Sequence, residues 1–208
     1  MAESIHTMSL RCDKPFIKFC CDEISADFLE RKLFGHVRGA ISGVRNAGTG
    51  CLETARGGTV YFDEVAALAP VTQIKLLRLL QEHEFEPLGI GASCLADVRV
   101  LATTRRPLEQ LVRSGVFRTD LYYRLAVFPI QVPPLRKRPA DIPALVNYFI
   151  NQYARLLKKT TQGVSWLAMD LLKRHGWPGN VRELQECIEK AMQASTDGWV
   201  HSHHLSLA

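Results

Sequence analysis

Hydrophobic positions change their period along the chain. Residues 14–21 (Lys-Pro-Phe-Ile-Lys-Phe-Cys-Cys) form a short apolar run opened by Pro15 and predict a buried strand. Residues 57–62 follow a Gly-Gly turn with Thr-Val-Tyr-Phe, and 98–103 and 127–132 are further apolar runs, each predicting a strand. Between them the spacing becomes helical. Residues 2–9 read as a helix end, and Ala26–Phe34 places Phe28, Leu29, Leu33 and Phe34 on one side behind Ser25 as N-cap. Residues 71–84 carry apolar side chains at 74, 76, 77, 79 and 80 with charges between them, an amphipathic helix. Short helices are predicted at 108–112 and 120–125.

Pro133-Pro134-Leu-Arg-Lys-Arg-Pro139 is a stiff connector. Beyond it only helical spacing recurs, at 142–157, 165–175 and 180–195, the last with Asn180 as its expected N-cap. Strands alternating with helices and then helices alone predict an α/β fold. Its parallel-sheet core would occupy residues 1–134 and a small helical lid residues 135–208. The stretch from Gly35 to Gly50 interrupts this order with five glycines and no period, a long loop or flexible hairpin of the kind that is usually functional or disordered.

Composition narrows the class. At 208 residues and 47% hydrophobic the chain can bury a full core, and no apolar run approaches a membrane span. The start has no basic segment followed by an apolar one, so no secretory signal is read and a soluble cytoplasmic protein is expected. The six cysteines contain no C-x-x-C pair and are expected to be buried, reduced thiols. His201, His203 and His204 read as a solvated tail. Charge is uneven: residues 99–138 hold nine Arg or Lys against two acids, while the whole chain is only +5. Such a concentration suits a polyanion, and the scarcity of aromatics beyond Phe117, Tyr122 and Tyr123 favours nucleotide phosphate over a stacked single strand.

Candidate chemistry gathers at strand ends. Asp63 and Glu64 close the run 57–62, where one acid could hold a hydrated Mg²⁺ and the other orient a water for attack on a phosphoryl group. An acidic start to a loop is the plain alternative. Thr104 ends a neighbouring strand, as a phosphate or water ligand or as a turn residue. Arg118 and Arg124 could stabilise transition-state charge on a neighbouring subunit, or simply form surface salt bridges, and Arg182 could reach phosphate from the lid. No Gly-Lys pair occurs; Gly48-Thr49-Gly50 is followed by Cys51, so no phosphate-cradling P-loop is read.

The runs LFGHVRGAISGV (33–44), GGTVYFDEVAAL (57–68), QIKLLRLLQEHEFEPLG (73–89), DVRVLATTRR (97–106), GVFRTDLYYRLAVFPIQVPPLRKRPADI (115–142) and WPGNVRELQ (177–185) together resemble the AAA+ central domain of bacterial sigma-54-dependent transcription activators. The resemblance implies a hexameric ring that binds ATP between subunits and remodels sigma-54 RNA polymerase holoenzyme. It places Asp63 and Glu64 on the Walker B acids, Asp63 holding Mg²⁺ through water, and Thr104 on sensor I. Arg118 and Arg124 fall on the arginines offered to the neighbouring nucleotide, and Arg182 on the sensor II arginine. The loop Gly39-Ala40-Ile41-Ser42-Gly43-Val44 falls on the segment that touches sigma-54, normally GAFTGA.

Departures from that pattern bear on activity. Met1 stands downstream of the family's P-loop, Cys20 replaces the Asn that pairs with the Walker B Glu, and Arg105 replaces the sensor I Asn. Ile41, Ser42 and Val44 alter the contact loop, and no DNA-binding domain is expected within this chain. Negligible ATPase activity by the chain alone is therefore expected, with an exposed sheet edge and marginal stability. The alternative function is a degenerate, non-hydrolysing protein that joins or regulates rings of intact relatives.

Overall fold

The computed structural model describes residues 1–23, 25–37, 47–89 and 91–207. It divides into two units, residues 1–129 and 130–208. Three strands carry the first: β1 (Phe16–Cys20), β2 (Thr59–Asp63) and β5 (Arg99–Ala102), all parallel, in the order β1-β2-β5. The register pairs Cys20 with Asp63 and Phe62 with Ala102. The carboxyl ends of the strands therefore fall side by side, bringing Cys20, Asp63-Glu64 and Thr103-Thr104 to one edge. The residue before β2 is a glycine for a steric reason. A Cβ on Gly58 would stand 2.1 Å from the carbonyl oxygen of Pro15, whose other task is to accept the Thr59 N–H at 2.9 Å.

Around the sheet lie α1 (Ala2–Thr7), α2 (Ala26–Phe34), α3 (Cys51–Thr54), α4 (Pro70–Glu82), α5 (Leu108–Arg113) and α6 (Thr119–Leu125). Most of the apolar positions read from the sequence are buried, but Phe28 and Ile74, expected on the same faces, are 39% and 44% exposed. Leu29, Leu33 and Phe34 of α2 meet Val60 and Phe62 of β2 and Leu76 and Leu79 of α4 in one core. Each such side chain contributes about 1.5–3 kcal/mol on burial. α1 is tied to β2 by the buried His6, whose Nδ1 lies 2.9 Å from Thr59 Oγ1. A two-residue antiparallel pair, β3 (Glu84–Phe85) with β4 (Cys94–Leu95), follows α4; its strands are too short to have shown a period in the sequence.

The strand expected at 127–132 does not form. β5 bonds to β2 on one flank and to no strand on the other among the described residues, and Val127 and Phe128 are 77% and 86% exposed. An apolar run becomes a strand only where a partner ladder receives it, and Pro129, Pro133 and Pro134 also remove backbone donors.

In the second unit, α7 (Ile142–Leu157), α8 (Trp166–Arg174) and α9 (Asn180–Ala194) enclose a core of Val146, Leu172, Trp177, Leu184 and Ile188. Two short strands, β6 (Gly163–Val164) and β7 (Trp199–Val200), pair in parallel beside them. Trp177 is fully buried, and its indole N–H donates to the Leu172 carbonyl at 2.8 Å. Asn180 is not the cap of α9. Gly179 takes that position, with its N–H held by Glu183 Oε2 at 2.7 Å, while Asn180 Oδ1 accepts the Leu135 N–H at 2.8 Å. All six cysteines are free, but only Cys21 and Cys187 are buried; Cys12 is exposed and the others are intermediate. Among the described residues no helix is long and apolar enough to cross a membrane.

Candidate functional site

Asp63 is the last residue of β2, and strands on both sides supply its partners. Lys18 of β1 places Nζ 2.9 Å from Oδ2. On Oδ1, the Thr103 hydroxyl donates at 3.0 Å and the Tyr61 hydroxyl lies at 3.1 Å, the two hydroxyls being 2.8 Å apart. Three oxygens thus share two hydroxyl protons. Partial burial works against the carboxylate, but the hydrogen bonds from Lys18, Thr103 and Tyr61 outweigh it and hold Asp63 below its ordinary value. The hydrogen bond to Asp63 correspondingly raises Lys18.

Glu64 follows in a left-handed backbone conformation, φ 58° and ψ 57°, which costs a non-glycine residue about 1–3 kcal/mol. The surroundings hold it there. Thr103 N–H bonds to Phe62 O at 2.9 Å and Val65 N–H bonds back to Thr103 O at 2.8 Å, so the chain on either side of Glu64 is pinned to the end of β5. This twist turns the side chain inward, where the residue is only 6% exposed.

The Glu64 carboxylate is fully engaged. Oε1 accepts the Thr104 hydroxyl at 2.9 Å, and Oε2 accepts the Arg105 backbone N–H at 3.0 Å. The Arg105 guanidinium adds an ion pair at 3.2 Å and also reaches Asp22 at 2.9 Å. Arg106 approaches Oε1 at 3.8 Å while anchored on the Ala66 carbonyl at 2.8 Å.

Of the residues singled out from sequence, Asp63, Glu64 and Thr104 meet at this edge. Arg118 precedes α6 and forms a two-pronged pair with Asp120, at 3.0 and 2.7 Å; its backbone N–H is fixed by Gln73 Oε1 at 2.9 Å. Arg124 is exposed on α6, and Arg182 is exposed on α9 in the second unit. The loop Gly39–Val44 lies outside the described residues. Sequence reasoning missed Lys18, Tyr61, Thr103 and Arg106. Tyr61 and Thr103 belong to runs read simply as apolar strands, and the reach of Lys18 depends on a register that one strand cannot reveal.

The model of the sigma-54 interaction domain matches residues 1–131, and that of the AAA+ ATPase lid domain matches residues 136–208. This chain belongs to the sigma-54 interaction domain family. The nitrogen fixation protein VnfA of Azotobacter vinelandii is 42% identical over 205 residues, covering 99% of this chain and 39% of that protein. The transcriptional regulatory protein ZraR of Escherichia coli is 40% identical over 208 residues, covering 100% of this chain and 47% of its own. The chain therefore spans less than half the length of these curated relatives. Among solved structures, NtrX from Brucella abortus in complex with ADP aligns with a TM-score of 0.87 at 36% identity, over 98% of this chain and 45% of that one. NtrX in complex with ATP aligns equally well.

As a member of this family the chain has the AAA+ α/β core with its helical lid domain, and Asp63-Glu64 stands at the sheet edge where parallel α/β folds bind ligands. Magnesium is the metal the family implies. Asp63 offers one carboxylate, the hard oxygen donor that ion takes, while among the described residues no group of three or more His, Cys, Asp or Glu is placed to cage a metal.

Proposed function

We propose that the chain is the ATP-dependent AAA+ module of a sigma-54-dependent transcriptional activator, a cytoplasmic ring subunit that couples ATP binding and hydrolysis to remodelling of sigma-54 RNA polymerase. The observation that carries this reading is the bond from Thr104 to Glu64 across the ends of adjacent strands. A carboxylate held rigidly by a neighbouring hydroxyl, at the sheet edge and largely out of water, is suited to orient an attacking water towards a phosphoryl group. Asp63 would hold hydrated magnesium, which supplies charge neutralisation at the phosphates. Arg118 and Arg124 would serve the nucleotide of the neighbouring subunit, the Asp120 pair keeping Arg118 extended until that nucleotide replaces it. Arg182 would contact phosphate from the lid, and Gly39–Val44 would contact sigma-54.

One contact favours a second reading. Arg105 pairs with Glu64 directly, so the carboxylate that would orient the attacking water is already engaged by a guanidinium. The chain would then act as a non-hydrolysing member of a mixed ring, offering Arg118 and Arg124 without turning over nucleotide itself.

Phosphate release and open-complex formation with sigma-54 RNA polymerase, measured for the chain alone and mixed with an intact relative, separate the two. The hydrolysing reading expects little turnover by the chain alone but a contribution of its own in the mixture, which Glu64→Gln lowers by about 100-fold or more. The mixed-ring reading expects no turnover alone, a gain in Arg105→Asn, and altered activity of the relative that is lost in Arg118→Ala. If the chain neither turns over ATP nor alters the relative, both readings fall.

A further inference from the structure

Lys18 is a charged partner of Asp63 that neither reading uses. It projects from the middle of β1, two residues before the strand end, and crosses to the neighbouring strand to meet Asp63 Oδ2 at 2.9 Å. On the way its ammonium passes 5.7 Å from the centre of the Tyr61 ring. The two oxygens of Asp63 are thus divided. Oδ1 is occupied from within the sheet by the Thr103 and Tyr61 hydroxyls, and Oδ2 is left to Lys18.

That division has a chemical consequence. The hydroxyls on Oδ1 are neutral, and they orient the carboxylate without opposing a cation. An ammonium on Oδ2 carries the same sign as a metal ion and has only donor protons to offer, so it and a divalent cation or its hydration shell compete for one oxygen. The Lys18 side chain is half exposed, and Asp63 is also reached by solvent. An ion pair in that setting is weak and has room to open.

We propose that Lys18 is a displaceable internal counterion: it neutralises Asp63 while no metal is present and must leave Oδ2 when a divalent cation binds there. It thereby sets how much cation the site requires. This rests on the functional reading only in taking Asp63 to face a divalent cation. No nucleotide, partner subunit or hydrolysis enters the comparison below.

Free Mn²⁺ binding to the chain, followed by electron paramagnetic resonance without nucleotide, tests it. Lys18→Met should bind Mn²⁺ roughly 1.5- to fivefold more tightly than the unaltered chain, the range expected when a partly exposed ion pair ceases to compete. Raising salt, which screens the competing charge, should narrow the difference. Asp63→Asn should abolish the tighter binding in the Lys18→Met background. Equal or weaker binding in Lys18→Met, or tighter binding that survives Asp63→Asn, overturns the proposal, as does absence of binding in both proteins. Should Lys18→Met fail to fold, Lys18→Gln, which keeps length and polarity without charge, carries the same expectation. An Mn²⁺ difference found in a protein without ATPase or sigma-54 activity would leave Lys18 as proposed and remove only the functional reading.

Discussion

Arg105 grips Glu64 twice on the same oxygen, through its backbone N–H at 3.0 Å and its guanidinium at 3.2 Å. The two grips differ in strength. The guanidinium is 78% exposed, so its pairing is screened by water, whereas the backbone N–H and the Thr104 hydroxyl bind a carboxylate that is 8% exposed.

Stability should follow that ranking. Glu64→Ala strands the Arg105 N–H and removes one bond of the Thr104 hydroxyl, which keeps the Arg106 carbonyl at 3.0 Å, and is expected to cost about 1–3 kcal/mol, while Thr104→Val should cost about 1 kcal/mol. Because the two changes remove one shared bond, the double variant should lose less than their sum. Urea unfolding of the four proteins measures this; strict additivity would show that the two side chains are not coupled.

Gly58→Ala should be among the most damaging single-methyl additions in the chain. The new carbon would fall 2.1 Å from the Pro15 carbonyl oxygen and force β1 and β2 apart. A loss of more than about 2 kcal/mol is expected. Gly176→Ala, where nothing lies within 4 Å, is the matched control. Similar thermal midpoints for the two variants would contradict this account of how β2 starts.

Thiol chemistry should discriminate among the cysteines. Burial pushes the Cys21 thiol up to about 12, so it is protonated and shielded at pH 8, whereas Cys12 is exposed. A maleimide at pH 8 should label Cys12 first and leave Cys21 and Cys187 unmodified until the chain is unfolded. Early labelling of Cys21, read by peptide mass, would place it nearer the surface than the fold allows.

In the second unit, Trp177→Phe keeps an aromatic ring but leaves the buried Leu172 carbonyl without the indole proton it accepts at 2.8 Å. A loss of about 1–3 kcal/mol is expected. Calorimetry on the intact chain should show the change in the transition that carries the helical unit. A wild-type profile would mean that this carbonyl finds another donor.

Much of this architecture could be read before any coordinates. The run ending at Asp63 and the run before Thr104 are apolar, regular and bounded by polar residues, so the strands and the polar residues that close them are legible together. Val127–Val132 shows the limit of that reasoning: its composition suits a strand, but a strand needs a partner, and none meets it among the described residues. Lys18 shows a different limit. Its role follows from pairing Cys20 with Asp63, a relation between residues far apart in the chain. Asn180 looked like a cap because its residue type favours one, yet its side-chain oxygen is claimed by Leu135.

The outer flank of β5 has a practical corollary. Its amides and carbonyls from Arg99 to Ala102 bond to no strand on that side among the described residues, leaving a ready template for foreign backbone. Concentrated samples should therefore be handled as a potential seed for filamentous growth, and a short capping peptide laid along that flank would be a rational additive for keeping the chain dispersed.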